Sequence, residues 1–227
     1  MKRFTLIAVT GAIYSTMVLA APVDEHVRGK IVSVSPDTLV VRTSTGENVS
    51  VALNGETHYL RVVKSSLDQI EPDSYIGTAT KDIGSTQVAL EVMIFPAALR
   101  GINPGHHPYD KLPDTTLSGG TTTSSMMTNG SVATVASAPG ATVNTAMTNG
   151  TVSTSASKNA VKQLTVTYNG GQQQILVPPT APIVNLLPST VSDLSTGAYV
   201  FVDAAKDGSS LTAGLVAAGA EGLKPPF

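Results

Sequence analysis

SSLDQIEPDSYIGTATKD, at residues 65–82, returns in diverged form as TVSDLSTGAYVFVDAAKD at residues 190–207, and this recurrence decides the reading of the fold. In each copy a short helical or turn piece (residues 67–70 and 191–194) runs into a tight turn, Pro72-Asp73 or Thr196-Gly197. A strand opened by Tyr75 or Tyr199 follows. Proline presets φ and glycine supplies positive φ, so the two copies solve one turn with different residues. The recurrence implies one small β module used twice.

Working outward from the first copy, residues 27–43 (VRGKIVSVSPDTLVVRT) read as two strands joined at Ser35-Pro36-Asp37. Residues 48–53 follow as a third strand, with Val49, Val51 and Leu53 alternating with Ser50 and Ala52. Asn54-Gly55 is a turn dipeptide, after which residues 59–63 read as a short strand. Strands at 75–80 and 86–95 complete a first module over residues 27–96. Five or six short strands with one helical insertion before the penultimate strand suggest a small barrel of the OB kind.

Around the second copy, strands are expected at 148–154, 163–168 (Leu164, Val166 and Tyr168 inward), 172–177, 182–187, 199–203 and 211–218. They make a second module over residues 147–220. Pro178-Pro179 and Pro188 should end the third and fourth of these, because proline cannot donate to a ladder. The tail, residues 221–227, is too proline-rich to be a strand. Between the modules, residues 97–114 read as a Pro/Gly-rich irregular connector with at most one helical turn at 97–100. Residues 115–157 contain no charge and are nearly half Ser or Thr, so residues 115–146 read as a flexible Ser/Thr/Gly-rich linker along which the modules tumble independently. This stretch holds its own duplication, MTNGSVATVAS at 127–137 and MTNGTVSTSAS at 147–157. The second copy is the one expected to open the second module, because Gly150-Thr151-Val152 then matches Gly29-Lys30-Ile31. The fold class is thus all-β, two tandem small OB-like barrels joined by a linker.

The first 20 residues have the form of a signal peptide: Lys2-Arg3, an uncharged apolar run to Leu19, and a small-residue site at Ala20 and Ala21, with cleavage expected after Ala20. The mature chain then has no run long enough to span a bilayer, and its location is expected to be periplasmic, with extracellular as the alternative. Cysteine is absent, which excludes disulfides, Cys-based metal or redox chemistry and a lipid-anchored N-terminus. Removing Lys2 and Arg3 leaves 12 basic residues against 16 acidic, a net charge of about −4. With no basic stripe along the chain and few aromatics, nucleic acid and anionic lipid are poor partners.

Several segments together resemble a family of uncharacterised exported bacterial proteins built from tandem small β modules of unknown function. They are GKIVSV and DTLVV near the start, SSLDQIEPDSYIGTA, IFPAALRG and GHHPYD in the middle, then MTNG, ILVPPTAPIV, DLSTGAYVFV and GLKPPF. The resemblance covers nearly the whole mature chain. At the connector the family pattern runs E-V-H-I-F-P-E-x-M-R-G-T-G-E-G-H-x-P-W-D. Here Met93 replaces its first His, Ala97 its second Glu, Asn103-Pro104 a Gly-Glu pair and Tyr109 its Trp. Some members are labelled as metal-transporter permeases, an activity excluded for a chain with no span beyond its signal.

The connector carries the one cluster with chemical promise: His106, His107 and Asp110, with Tyr109 between. Imidazole and carboxylate within five residues can bind Zn²⁺ or Cu²⁺, yet adjacent histidines point apart and a strong site needs three or four ligands. The structural reading, in which these residues pack the connector against a barrel, is preferred, and no metal or other cofactor is assigned. His58-Tyr59 near Glu56 reads as the start of a surface strand, and His26 as part of a solvated tail. Asp37, Asp68, Glu71, Asp73, Asp82, Glu91, Asp193, Asp203 and Asp207 are expected mostly at turns and strand ends, where carboxylates make local hydrogen bonds. No acid/base pair, Gly-x-Ser-x-Gly elbow or phosphate loop is found. The expectation is a monomeric, non-enzymatic binding or scaffolding module of the cell envelope, its partner an unidentified envelope protein or small ligand. The alternatives are a metal-handling accessory protein using the His-His-x-x-Asp run and an enzyme acting on envelope glycans.

Overall fold

A computed structural model describes residues 23–117, 120–138 and 161–227. They form one all-β sheet of thirteen strands. In chain order these are β1 (Val23–Val34), β2 (Thr38–Thr43), β3 (Asn48–Ala52), β4 (His58–Lys64), β5 (Tyr75–Ile83), β6 (Thr86–Ile94), β7 (Gly105–Pro113), β8 (Thr122–Ser137), β9 (Lys162–Tyr168), β10 (Gly171–Val177), β11 (Ile183–Pro188), β12 (Tyr199–Asp207) and β13 (Ser210–Gly219). The only helical pieces among the described residues are single 3₁₀ turns at Leu67–Gln69, Ala97–Leu99, Val191–Asp193 and Ala220–Gly222. None is long and apolar enough to cross a membrane.

The pairings close into two circuits of five strands. In the first, the antiparallel meander β1-β2-β3 is closed by β13, parallel to β3 at Thr212 and Ala52, and β12, which returns antiparallel to β1. In the second, the meander β8-β9-β10 is closed by β6, parallel to β10 at Ile175 and Leu176, and β5, antiparallel to β8. Each circuit therefore takes its three-strand meander from one half of the chain and its two closing strands from the other. Strands β4 and β11 pair antiparallel between the circuits.

The recurring stretch is where the chain crosses from one circuit to the other. Asp73 and Gly197 both adopt the left-handed conformation, with φ of 70° and 86°. The Asp73 amide donates to the Val132 carbonyl of β8, and the Gly197 amide to the Ile31 carbonyl of β1. Asp73 and Gly197 thus make one turn with two residue types, each turn seated on a strand of the opposite half. Ile70 and Leu194, at the ends of the 3₁₀ turns, enter the two cores: Ile70 joins Ile76, Val92, Leu164, Val166 and Ile175, and Leu194 joins Ile31, Leu39, Val41, Val202 and Val216. A third cluster, including Leu60, Leu90, Leu112, Leu186, Phe201 and Phe227, fills the space between the circuits.

The structure differs from the sequence reading in three places. Residues expected as linker contain β8, the longest strand, hydrogen-bonded to β5, β7 and β9. Its threonines and valines suit a pleated surface, and three neighbouring strands pair with it along its length, so low apolar content does not prevent order. The connector likewise contains β7, which pairs only with β8 and carries Pro108 and Pro113, residues that blunt an open edge. Finally, the first MTNG copy, expected as linker, supplies a strand equivalent to β1. A Cβ on Gly130 would collide with the Thr167 carbonyl, as one on Gly29 would with the Arg42 carbonyl. Both strands also bulge two residues later, between Ile31 and Ser33 and between Val132 and Thr134. The Met147 copy, the expected strand at 148–154, and Ala20 and Ala21 lie outside the described residues.

Candidate binding site

The sequence singled out His106, His107, Tyr109 and Asp110, and β7 carries all four. The His106 ring is engaged inside the sheet, Nδ1 2.8 Å from Thr128 Oγ1 and Nε2 3.2 Å from Gln87 Nε2. Desolvation holds its pKa below the usual histidine value, against the opposing charge of Asp82. His107 follows on the strand, and successive side chains point to opposite faces. The pair therefore does not converge with Asp110, and the described residues contain no group of three or more His, Cys, Asp or Glu that could hold a metal ion.

Tyr109 and Asp110 belong elsewhere. Asp110 is the extra residue of a bulge between Tyr109 and Lys111, and a bulge re-aims a side chain. Its carboxylate reaches strand β1, 2.7 Å from His26 Nδ1 and 2.7 Å from the Arg28 guanidinium. His26 is therefore not a solvated tail residue. Its ring also lies 5.2 Å from Tyr109 and 5.4 Å from Phe201, centroid to centroid. The Arg28 guanidinium sits 5.0 Å above the Phe201 ring, which meets Phe227 edge-on. Burial pushes the Tyr109 hydroxyl well above the ordinary tyrosine range, with Glu91 adding to the shift.

Beside this cluster opens a cavity of about 480 Å³, within the range of small-molecule sites. One wall is a cross-strand row on the outer face of the first circuit, Tyr199, Lys30 and Arg42, in register across β12, β1 and β2. Lys30 Nζ lies 4.7 Å from the Tyr199 ring centroid. The opposite wall is Leu90 and Glu91 of β6 with Lys111, Leu112 and Pro113 of β7, and the tail closes one side with Lys224 and Phe227. Five of the protein's 14 lysines and arginines line this one space: Arg28, Lys30, Arg42, Lys111 and Lys224. Among the described residues only Arg28 of these forms an ion pair.

One acid lines the cavity, Glu91, and it is 2 % exposed. It is not at a strand end, where sequence reasoning put the carboxylates, but beside the bulge at Leu90 in the middle of β6. Burial, opposed by Arg28, pushes its pKa up to about 8, so it is largely neutral at pH 7. Its Oε1 has no hydrogen-bond partner among the described residues, and neither does the buried Nε of Arg28. A cavity with five cationic side chains, apolar walls and a neutral acid is suited to an oxyanion carrying an apolar portion. No signal along the chain marks this site, because its cations come from four separate segments, β1, β2, β7 and the tail. No family model, curated protein or solved structure matches the chain.

Proposed function

We infer that the protein is a non-enzymatic binding module exported to the cell envelope, and that it takes a small anionic amphiphile into the cavity between β1, β2, β6, β7 and the tail. The observation that carries this is the gathering of Arg28, Lys30, Arg42, Lys111 and Lys224 around one apolar-walled space in a chain of net charge −2. An OB-like reading of the two circuits is supported by their strand order, a meander closed by one parallel and one antiparallel strand, with a 3₁₀ turn leading into the closing pair. The periplasmic location and the likeness to exported tandem-module proteins rest on the sequence and belong to the same proposal. The preference for an anion departs from the sequence expectation, because cations dispersed along the chain converge only in the fold.

Calorimetry with four octyl compounds, each below its micelle threshold, tests the reading. Octyl sulfate and octyl phosphate are expected to bind at least about tenfold more tightly than octyl glucoside or octyltrimethylammonium, a difference of about 1.4 kcal/mol. A Lys30→Ala/Arg42→Ala variant loses that preference. Equal binding of all four heads, or no binding of any, would overturn the proposal.

A further inference from the structure

Glu91 and Arg28 line the same cavity from opposite circuits, and each side chain holds a buried polar atom without a partner, Oε1 and Nε. A buried unpaired donor or acceptor costs roughly 1–3 kcal/mol, so such groups are ordinarily satisfied, and two such side chains beside one cavity point to a ligand that engages them. Arg28 Nε carries a hydrogen and can only donate. Glu91 can donate only when protonated; as a carboxylate it would present a second negative charge to an incoming anion inside a site of low dielectric.

We propose that Glu91 is the proton-carrying partner of Arg28 in the anion site: the neutral carboxyl donates its O–H to the ligand's oxyanion beside the Arg28 N–H, so that capture of the anion requires and retains one proton on Glu91. The inference rests on the cavity being the anion site. The proton is taken from solvent when the carboxylate form binds, and no covalent bond is made or broken. The charged and titratable groups facing this corner are His26, Arg28 and Lys30 on β1, Arg42 on β2, Tyr109, Asp110 and Lys111 on β7, Tyr199 and Asp203 on β12, and Lys224 in the tail. Among them Arg28 favours the charged form of Glu91, and burial outweighs it.

Octyl sulfate is the probe, because its head stays a monoanion throughout and any proton taken up belongs to the protein. Calorimetry at pH 8 in buffers of different ionisation enthalpy should show uptake of roughly half a proton per ligand, and the Kd should rise up to about tenfold per pH unit above pH 8. Glu91→Gln, whose amide donates but does not titrate, should bind octyl sulfate with no uptake and no such rise. His26→Gln should retain the uptake. Thermal melting is the second measurement, independent of ligand. A folded-state value raised above the unfolded one leaves stability intact below about pH 4.5 and removes it progressively as pH rises to about 8. Glu91→Gln should therefore melt with the wild type at low pH and above it at pH 9. Tight binding without proton uptake would sink the role of Glu91 and leave the anion site standing, whereas no binding of octyl sulfate at any pH would remove both.

Discussion

Nδ1 of His26 lies 2.7 Å from Oδ2 of Asp110, 84 positions further along the chain. This contact and the Arg28 ion pair to the same oxygen fasten β7 against β1. Desolvation pulls the Asp110 pKa upward, but the hydrogen bonds from His26 and Arg28 outweigh it and hold the value below the usual aspartate range. A depressed folded-state value means stability present above the unfolded pKa, near 3.8, and lost as pH falls through the folded one. Asp110→Asn should thus cost about 1 kcal/mol at pH 7, a modest figure because the carboxylate is partly exposed. In melting curves the deficit should hold from pH 7 to about 5 and shrink toward pH 2. A deficit that does not change with pH would mean that packing, not charge, is what Asp110 contributes.

Gly29 and Gly130 occupy positions where a neighbouring strand's carbonyl leaves no room for a side chain. Gly29→Ala and Gly130→Ala should each destabilise by about 2 kcal/mol or more, since a backbone carbonyl cannot move aside as a side chain can. Gly214 is the control. A Cβ there meets only the Asp203 carbonyl at 3.8 Å, so Gly214→Ala should change stability by less than about 0.5 kcal/mol in urea unfolding. Similar losses at all three positions would mean that close approach to the neighbouring carbonyl is not what Gly29 and Gly130 accommodate.

Because each circuit takes strands from both halves, neither half can close by itself. Residues 21–118 and 119–227, produced separately, are expected to lack dispersed amide spectra, and mixing them should restore the spectrum of the intact protein. Two independently folded halves would show that the circuits close within halves, contrary to the pairings of β1 with β12 and of β5 with β8.

Most strands were legible because alternation and turn chemistry are local. The Asn54-Gly55 turn, the stop at Pro188 and the strands after Tyr75 and Tyr199 lie where period-2 patterns and proline place them. Which strands pair was not legible. Two similar modules in one chain offer each closing pair two equivalent meanders, and hydrophobic pattern does not distinguish its own from the other. β8 was missed because a Ser/Thr-rich composition was weighed above the β propensity of threonine. The candidate site was missed for a different reason. Arg28, Lys30, Arg42, Lys111 and Lys224 form no run, and Glu91 between Leu90 and Val92 gives no sign that its carboxyl is buried. Asp110 ties β7 to β1 through His26, a residue that the sequence reading assigned to solvent.

The exchange of closing strands also fixes an order of events as the chain is made. The meander β1-β2-β3 is complete at Ala52, but its closing strands begin only at Tyr199. At about 5–20 residues per second, ribosomal synthesis separates the two by roughly 7 to 30 seconds, far longer than a hairpin needs to form. Throughout that interval the outer edges of β1 and β3 lack their eventual neighbours β12 and β13, and open edges of this kind recruit other chains. The nascent N-terminal half is therefore the aggregation-prone species, and loss of β13 from the finished chain would open one edge on each of β3, β4 and β12 at once.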